Sequence, residues 1–353
     1  MSTDTTTTAN DDDSDDPVEN RSEIVFAYDA EDTNPNGNPL SANNKPRIDE
    51  TTGAAVVTDV RLKRYIRDQL DDDDEAINIY IRNPSKSDSG VVLDRDDLFK
   101  QVTGLDSGEL GDMTGSEAAD AFLTNATDVR YFGATCSFSS DFQDDIGDGF
   151  PGQFIGPVQF SHARSLNTVV QKGESKQLST VVSSGGDAEQ GTFATDNRLQ
   201  YAFVPFHGVV NEVGADDTLL SRTDVDRLDT LLWRAVKNQT LTRSKMGHQP
   251  RLYLRVEYET DAFHIGTLDD GLELTQELDD TELRNITDVV LGVDGLVDDL
   301  ETHRDRIAEV TVVADPYLTV EADDETGGPD HLLTALENAV GADRVTEIDD
   351  PYA

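Results

Sequence analysis

The order of strand-like and helix-like patterns constrains the fold of this chain more than any other feature. Two strand–helix sets can be recognised from apolar runs and from apolar residues at helical spacing. Their elements follow in this order: a strand near Ile24, a helix from Asp59, a strand near Ile77, a strand near Tyr201, a helix from Asp224 and a strand near Leu252. This is the split β-α-β order of a ferredoxin-like α+β fold, with long insertions between its second and third strands.

A rigid turn and a cation-rich helix follow the first strand. Residues 34–39 combine two prolines with an Asn-Gly pair, which is typical of a tight turn. Thr58 suits the N-cap of a helix whose apolar stripe consists of Leu62, Ile66 and Leu70. We expect the opposite, solvent-facing side of this helix to carry four cations, namely Arg61, Lys63, Arg64 and Arg67.

The remaining segments predict one domain with several additions. We expect a disordered acidic tail over residues 1–20 and a single domain over residues 21–353. Residues 83–127 form a mixed insertion that ends in a helix, and residues 141–156 have the composition of a loop. Residues 171–197 are too polar to build a core, which predicts a long hairpin or flap. Residues 261–353 are predicted to form an accessory layer on the same domain.

The net charge of -44 arises from 72 acidic and 28 basic residues. A disordered acidic protein would lack patterned apolar runs, whereas 36% of this chain is hydrophobic. We therefore interpret it as a folded protein with an acidic surface, as in proteins from a salt-saturated cytoplasm. The single cysteine, Cys136, excludes an internal disulfide and a cysteine-based zinc site, and we expect it to be buried. With neither a signal-peptide pattern nor a membrane-length apolar run, we expect a cytoplasmic protein.

Two stretches without any carboxylate are the most informative part of the charge distribution. They span residues 149–173 and 230–256. Buried strands explain part of each stretch, but residues 238–248 are polar and are expected to be exposed. A phosphate group is repelled by a nearby carboxylate and attracted by lysine and arginine. In concentrated salt, bidentate arginine, backbone amides and base stacking carry more of that attraction. The pattern therefore predicts contact with a nucleic acid.

Each of these features also has a simpler interpretation. Residues 34–39 can be only a turn, and the four cations can be a solvated helix face. Asp29 and Asp32, beside the turn, could hold Mg²⁺ in a nuclease, although no further ligands occur at a recognisable spacing. Metal-site spacing is absent from the histidines considered, which are His162, His207, His248 and His264. A Walker loop and a nucleophile elbow are also absent. We predict a protein that is not an enzyme and needs no cofactor.

Several motifs in this order resemble a known family. They are Tyr-Asp-Ala at residues 28–30, Asn-Pro-Asn-Gly-Asn-Pro at 34–39, Pro-Arg-Ile-Asp at 46–49 and Val-Thr-Asp-Val-Arg-Leu-Lys-Arg at 57–64, with further matches at 128–134, 156–165 and 201–208. Together they resemble the backbone subunit of type I CRISPR Cascade complexes, of the Csh/Csd type within the RAMP superfamily. The resemblance spans about residues 23–258, and the C-terminal third adds nothing to it.

The resemblance implies a ferredoxin-like palm, similar to an RNA-recognition motif, with finger and thumb insertions. Residues 83–127 would be finger-like and residues 171–197 thumb-like. Copies of the subunit would line up along one guide crRNA, together with other Cascade subunits, and present it for pairing with target DNA. The implied protein is a non-catalytic subunit for antiviral defence, of subtype I-B, from a halophilic archaeon. Alternatives left open are a metal-dependent ribonuclease using Asp29 or Asp32 and an RNA-free self-assembling protein.

The resemblance and the acid-free stretches together nominate a set of RNA-binding residues. No catalytic or metal-binding residue is nominated. The set consists of Asn34, Asn36, Gly37, Asn38, Lys45, Arg47, Arg61, Lys63, Arg64, Arg67, His162, Arg164, Ser165, Lys172, Lys176, Arg198, Arg243, Ser244 and Lys245. Two of them depart from the family pattern. His162 stands where an arginine is often found, and Asn38 stands where an aspartate is common.

Overall fold

The computed structural model describes residues 18–40, 42–73, 78–82, 93–173, 175–179, 192–242, 244–259 and 262–352. The strands are β1 (Ser22–Glu31), β2 (Ala54–Val57), β3 (Gly133–Thr135), β4 (Gln153–Ile155), β5 (Val158–Phe160), β6 (Ala163–Thr168), β7 (Ser175–Ser179), β8 (Thr192–Asp196), β9 (Tyr201–Val210), β10 (His248–Tyr258), β11 (Glu273–Leu274), β12 (Leu291–Gly292), β13 (Ile307–Ala314), β14 (Val320–Ala322), β15 (Glu325–Gly327) and β16 (Val345–Glu347). The helices are α1 (Asp59–Asp73), α2 (Arg95–Thr103), α3 (Ser107–Gly111), α4 (Gly115–Asn125), α5 (Thr127–Phe132), α6 (Ser140–Ile146), α7 (Glu212–Thr218), α8 (Arg222–Lys237), α9 (Asp294–Thr302) and α10 (Pro329–Val340).

The central sheet has the strand order β16-β13-β10-β1-β9-β5. β1 lies in its middle and pairs antiparallel with both β9 and β10, so that Phe26 lies opposite Phe206 on one side and Tyr253 on the other. β5 pairs antiparallel with β9, and β13 pairs antiparallel with β10. Buried side chains on both faces of β1 explain why its sequence reads as a continuous apolar run.

One predicted strand is wrong. Within the described residues 78–82, Asn78 forms only an isolated bridge with Ala126, and residues 74–77 lie outside the described part of the chain. The Asp128 carboxylate accepts the N–H groups of Tyr80 and Ile81 at 2.8 and 3.0 Å, so these donors are bonded to a side chain rather than to a neighbouring strand. The position beside β9 is taken instead by β5.

Helices α1 and α8 pack on one face of the central sheet. The predicted stripe of α1, formed by Leu62, Ile66 and Leu70, is buried in the same core cluster as the residues of α8. α8 begins at a capping box, in which the Ser221 hydroxyl accepts the Asp224 N–H at 3.2 Å. α8 therefore begins two residues before Asp224, where the sequence predicted its start.

The C-terminal region covers the opposite face of the sheet. Leu252, Leu254 and Val256 of β10 pack against apolar residues of α9, α10 and the small sheet β11-β12-β14-β15. α9 ends at Thr302, and β13 then joins the central sheet beside β10. Residues 262–352 thus supply both a covering layer and a strand of the main sheet.

The insertion after α1 is a helical unit with its own core. Residues 93–160 contain α2 to α6 around a cluster of phenylalanines, and Cys136 is buried there as expected. The loop predicted over residues 141–156 is wrong in part, because α6 and β4 form within it. Both elements are held by burial of Phe142, Phe150 and Phe154 against Phe99 or Phe122.

The structure describes both strands of the predicted hairpin and the last three residues of the predicted tail. β7 and β8 pair antiparallel, as expected for a hairpin, while residues 180–191 lie outside the described part. Residues 1–17 of the tail also lie outside the described part. The Val18 N–H donates to the Leu220 carbonyl at 3.3 Å, and the Val18 side chain packs on the core formed by α1, α8 and the central sheet. Among the helices in the described ranges, none is long and apolar enough to cross a membrane.

Candidate nucleic-acid interface

The turn after β1 is held by its own asparagine side chains. Asn34 and Asn36 are buried, and their amide groups donate to the Asn44 carbonyl at 2.8 Å and to the Thr58 hydroxyl at 3.2 Å. A Cβ at Gly37 would lie 2.3 Å from the Asn44 side-chain oxygen, so a larger residue would displace that exposed side chain. The half-buried Asn38 closes the turn by donating its N–H to the Lys45 carbonyl at 2.9 Å. These amides therefore shape the turn before they can touch any ligand.

Lys245 ties a second loop to this turn. Its buried ammonium group donates to the carbonyls of Asn34 and Pro35, the latter at 3.1 Å, and the Asn34 N–H donates to the Ser244 carbonyl at 3.1 Å. Burial, together with the nearby charge of Arg61, lowers the pKa of Lys245 to about 7. Lys245 thus acts as a structural link, whereas Arg243 lies outside the described residues.

The four cations of α1 do not form one free face, in contrast to the sequence expectation. Lys63 is buried, with its ammonium 2.6 Å from the Gln159 side-chain oxygen and 3.5 Å from Asp59, and burial lowers its pKa. Arg67 donates to the buried Asp128 at 2.8 Å. Both lie over the ring of Phe132, because α5 and β5 pack beside α1.

The two remaining α1 cations differ in their surroundings. Arg64 is paired with Asp68 at 2.5 Å, one helical turn along. Arg61 lies over the Tyr65 ring, 5.8 Å from its centroid, and no carboxylate oxygen of the described residues is within 4.0 Å of it. The sequence does contain a signal for these two ion pairs, because Asp59 and Lys63, and Arg64 and Asp68, are each four residues apart on a helix. The sequence analysis did not use this spacing.

Arg47, Arg61, His162 and Arg164 lie on elements that meet at the start of α1, and we call them the α1 N-terminal face. The Asn36 carbonyl accepts the Arg47 N–H at 3.1 Å while the Asn36 amide binds Thr58, which precedes α1. The Arg47 Nε has no hydrogen-bond partner among the described residues. Arg164 is exposed, 3.8 Å from Asp49, and His162 is exposed, 3.1 Å from Asp59.

Three further candidates lie at the base of the β7–β8 hairpin or beneath it. Lys172 pairs with Asp32 at 2.8 Å, and Arg198 donates to the Asp32 carbonyl at 2.8 Å and to Asp196 at 2.9 Å. Ser165 is buried, since its hydroxyl donates to the Asn167 carbonyl at 2.6 Å and accepts the Ala55 N–H at 2.8 Å. The side chain of Lys176 lies outside the described part. The exposed Lys45 follows the turn, and its carbonyl accepts the Asn38 N–H at 2.9 Å.

The two aspartates considered as magnesium ligands occupy different environments. Asp29 is fully buried and accepts from Arg251 at 2.9 Å and from the Tyr201 hydroxyl at 3.0 Å. Burial raises the pKa of Asp29 to about 6, although Arg251 opposes the shift. Asp32 is at the surface, bound to Lys172. Among the residues that the structure describes, no group of three or more His, Cys, Asp or Glu side chains could hold a metal ion.

The chemistry of the α1 N-terminal face suits an anion. α1 has 15 residues, and its first turn lies at the positive end of the helix dipole. Arg47 and Arg61, which have no carboxylate partner among the described residues, add formal positive charge at the same place, where the Asp59 carboxylate is paired with Lys63 and His162. In a chain of net charge -44, such a grouping is the arrangement that phosphate binding requires.

Comparison with known proteins bears on the whole chain. The family described as "CRISPR-associated protein Cas7" matches residues 20–294. A protein of Haloferax volcanii, described as "CRISPR-associated protein Cas7", is 46% identical over 340 residues, which cover 94% of this chain and 96% of that protein. Two solved chains, described as "CRISPR RNA-guided surveillance complex, pre-nicking" and "CRISPR RNA-guided surveillance complex", are each 13% identical to this chain, with TM-scores of 0.47 and 0.45. Each match covers 94% of this chain, and the matches cover 97% and 95% of the two solved chains, respectively. By its family match and its close relative, the chain belongs to the CRISPR-associated protein Cas7 family.

Proposed function

We propose that this protein is a non-catalytic subunit that binds the guide crRNA along its spacer in a type I CRISPR interference complex in the cytoplasm. The observation that carries the proposal is the α1 N-terminal face. There, Arg47 and Arg61 lack carboxylate partners among the described residues although the chain as a whole has 72 acidic residues. Membership of a CRISPR-associated family gives this phosphate-binding surface its biological context.

The contact expected at this face is with the RNA backbone. Arg47 and Arg61 can each donate two parallel hydrogen bonds to a phosphate, and such bidentate bonds depend less on counterion release than single ammonium contacts do. The turn at residues 34–39 supports this role by fixing Arg47 beside α1. Base pairing with target DNA would then read the sequence, while the protein reads the backbone and the shape of the RNA.

The framework of the subunit is proposed to be a ferredoxin-like palm. Support comes from the antiparallel order β10-β1-β9-β5 with α1 and α8 on one face, which is the 4-1-3-2 arrangement of a split β-α-β fold. In this assignment residues 21–353 form one domain. The helical unit around Phe99 and Phe122 is the finger-like insertion, and the hairpin β7–β8 is the thumb-like insertion that lies over the RNA.

Assembly is the remaining part of the proposal. Copies of the subunit would follow one another along a single guide and would contact other Cascade subunits. Subtype I-B is supported by the sequence motifs at residues 28–68, and a halophilic archaeal source is supported by the acidic composition and by the relative in Haloferax volcanii.

A non-catalytic role is supported by the environment of Asp29. Its carboxylate is engaged by Arg251 and Tyr201 in the interior, so it is not presented to water or to an RNA phosphate. Ribonuclease protection on a long single-stranded RNA tests both parts of the proposal. Protected segments at a regular interval, with no cleavage when Mg²⁺ is added, are expected. Uniform digestion, or cleavage by the protein that is lost in Asp29→Ala, would contradict it.

A further inference from the structure

Three buried polar side chains lie without partners where β1, α1 and β10 pack together. The hydroxyls of Tyr28 and Tyr65 and both ring nitrogens of His248 have no hydrogen-bond partner among the described residues. Tyr28, Tyr65 and His248 are 0%, 2% and 1% exposed. Buried polar groups in folded proteins are almost always hydrogen-bonded, so four such atoms in one place indicate a bound partner from outside the described chain.

The three side chains form one cluster, which we call the tyrosine–histidine cluster. Tyr28 belongs to β1, His248 pairs with Ala30 at the start of β10, and Tyr65 reaches the sheet from α1. The His248 ring centroid is 5.2 Å from that of Tyr28 and 6.2 Å from that of Tyr65. Burial raises the pKa of both tyrosines, so both phenols keep their hydrogens and can donate hydrogen bonds.

Lys245 places a formal positive charge beside this cluster. The residue is 8% exposed, and its ammonium group donates to the carbonyls of Asn34 and Pro35, which use two of its three hydrogens. No carboxylate oxygen of the described residues lies within 4.0 Å of this ammonium group. Burial and the charges of Lys245 and Arg61 lower the pKa of His248, since both cations lie near the imidazole. A buried charge is costly unless it is paired, so an anion at this place would stabilise Lys245.

Charge and hydrogen-bonding chemistry distinguish the possible occupants of the cluster. A water molecule could bond to the two hydroxyls, but it would leave the Lys245 ammonium group without a counter-charge. A metal cation would be repelled by Lys245, and no group of three or more His, Cys, Asp or Glu side chains among the described residues could hold one. Asp68, whose charge reaches Tyr65, is already paired with Arg64 at 2.5 Å. A phosphate within an RNA chain cannot reach side chains that are at most 2% exposed. A monatomic anion accepts hydrogen bonds from every donor of the cluster and balances the charge.

We propose that the tyrosine–histidine cluster binds one monovalent anion of the size of chloride, as the counter-ion of Lys245. The Tyr28 and Tyr65 hydroxyls and one ring N–H of His248 donate to this anion. Arg61 contributes only its charge, since its guanidinium group is assigned to the RNA. The salt-rich cytoplasm expected from the acidic composition supplies the anion. The site does not rest on the proposed function, and it stabilises the link between β1, the turn after it and the loop that Lys245 joins to that turn.

Bromide is the direct probe of this site, because it resembles chloride in charge and size and gives an anomalous X-ray signal. Crystals of the wild-type protein soaked in potassium bromide should show one anomalous peak within hydrogen-bond distance of Tyr28, Tyr65 and His248. Tyr65→Phe keeps the aromatic ring but removes one donor, so its crystals should lose this peak. A wild-type cluster that holds only water, or bromide bound only at the protein surface, would overturn the proposal.

Unfolding in solution gives an independent readout, with chloride exchanged against glutamate, an anion too large for the cluster, at constant total potassium. Raising chloride from about 0.1 to about 1 M should lower the unfolding equilibrium constant of the wild type by about tenfold more than that of Tyr65→Phe. The matched control is Tyr80→Phe, because Tyr80 is also 2% exposed but belongs to the separate phenylalanine cluster, and this variant should respond as the wild type does. Equal responses of the wild type and Tyr65→Phe would overturn the site.

Two features keep these tests decisive. If Tyr65→Phe does not fold, the bromide peak of the wild type alone decides. Neither readout uses RNA, so a negative result contradicts the anion site and leaves the proposed function standing.

Discussion

Replacing Arg61 by glutamine removes one positive charge from the α1 N-terminal face at little cost to the fold. Arg61 has no carboxylate within 4.0 Å among the described residues, so no internal ion pair is broken. Its contact with the Tyr65 ring, at 5.8 Å, is worth about 0.5–1 kcal/mol at a partly exposed site. The free energy of unfolding should therefore change by no more than about 1 kcal/mol.

The effect on RNA binding should be larger. A hydrogen bond to a charged group contributes about 1.5–3 kcal/mol, so loss of the guanidinium–phosphate contact should weaken binding about 10- to 150-fold. One fewer phosphate contact should also reduce the slope of log K against log salt by about 0.7 for a single-stranded nucleic acid. Glutamine keeps the helix propensity of the position, so α1 itself should remain intact.

Fluorescence anisotropy with a labelled single-stranded RNA, titrated at several salt concentrations, measures both quantities. The matched control is Arg306→Gln, because Arg306 also lies over an aromatic ring, Phe263 at 4.4 Å, but belongs to the C-terminal layer. Arg306→Gln should bind as the wild type does. Equal affinities and equal salt slopes for Arg61→Gln and the wild type would refute the assignment of the α1 N-terminal face.

Three other predictions concern stability and assembly. Asp128→Asn removes the buried carboxylate that pairs with the half-buried Arg67 and should lower the free energy of unfolding by about 3–5 kcal/mol, measured by denaturant titration; a loss below about 1 kcal/mol would contradict the role of this ion pair. His248 is buried with both ring nitrogens unpartnered among the described residues, and burial, together with Lys245 and Arg61, holds its pKa below the ordinary value. Its neutral form therefore contributes stability that is present above about pH 6.5 and is lost as the pH falls. The free energy of unfolding of His248→Phe should fall less on acidification than that of the wild type. Parallel pH profiles of the two unfolding free energies would argue against this. Replacing residues 175–196 by a short Gly-Ser linker should leave a folded chain that no longer forms arrays in sedimentation, and intact arrays would show that the hairpin is dispensable.

The sequence predicted the strands and helices that have a strong period. β1, α1, β9, α8 and β10 form where apolar spacing placed them. The stripes of α1 and α8 are buried on one face of the central sheet, and Leu252, Leu254 and Val256 of β10 are buried on the other. The strand expected around Ile79 failed because a distant carboxylate, Asp128, binds its backbone N–H groups. Periodicity contains no information on a partner so far along the chain.

The candidate site was predicted less completely than the fold. Residue types and the acid-free stretch at 238–248 singled out two loops, which the structure brings together through the Asn34–Ser244 hydrogen bond, and their contact with RNA stays a prediction. Which cations are free could not be predicted, because the partners of Lys63 and Arg67 come from β5 and α5. Burial of Lys245 was also hidden, since its acceptors are backbone carbonyls.

The central claim, that this protein holds a guide RNA, is tested most directly by the nucleic acid that co-purifies with it. The tagged protein would be purified from cells in concentrated salt, and the bound RNA would be extracted, quantified against protein and sequenced. We expect short transcripts that contain CRISPR repeat and spacer sequence, with less RNA bound to Arg61→Gln than to Arg306→Gln. A preparation without RNA, or with fragments drawn evenly from cellular transcripts, would contradict the account.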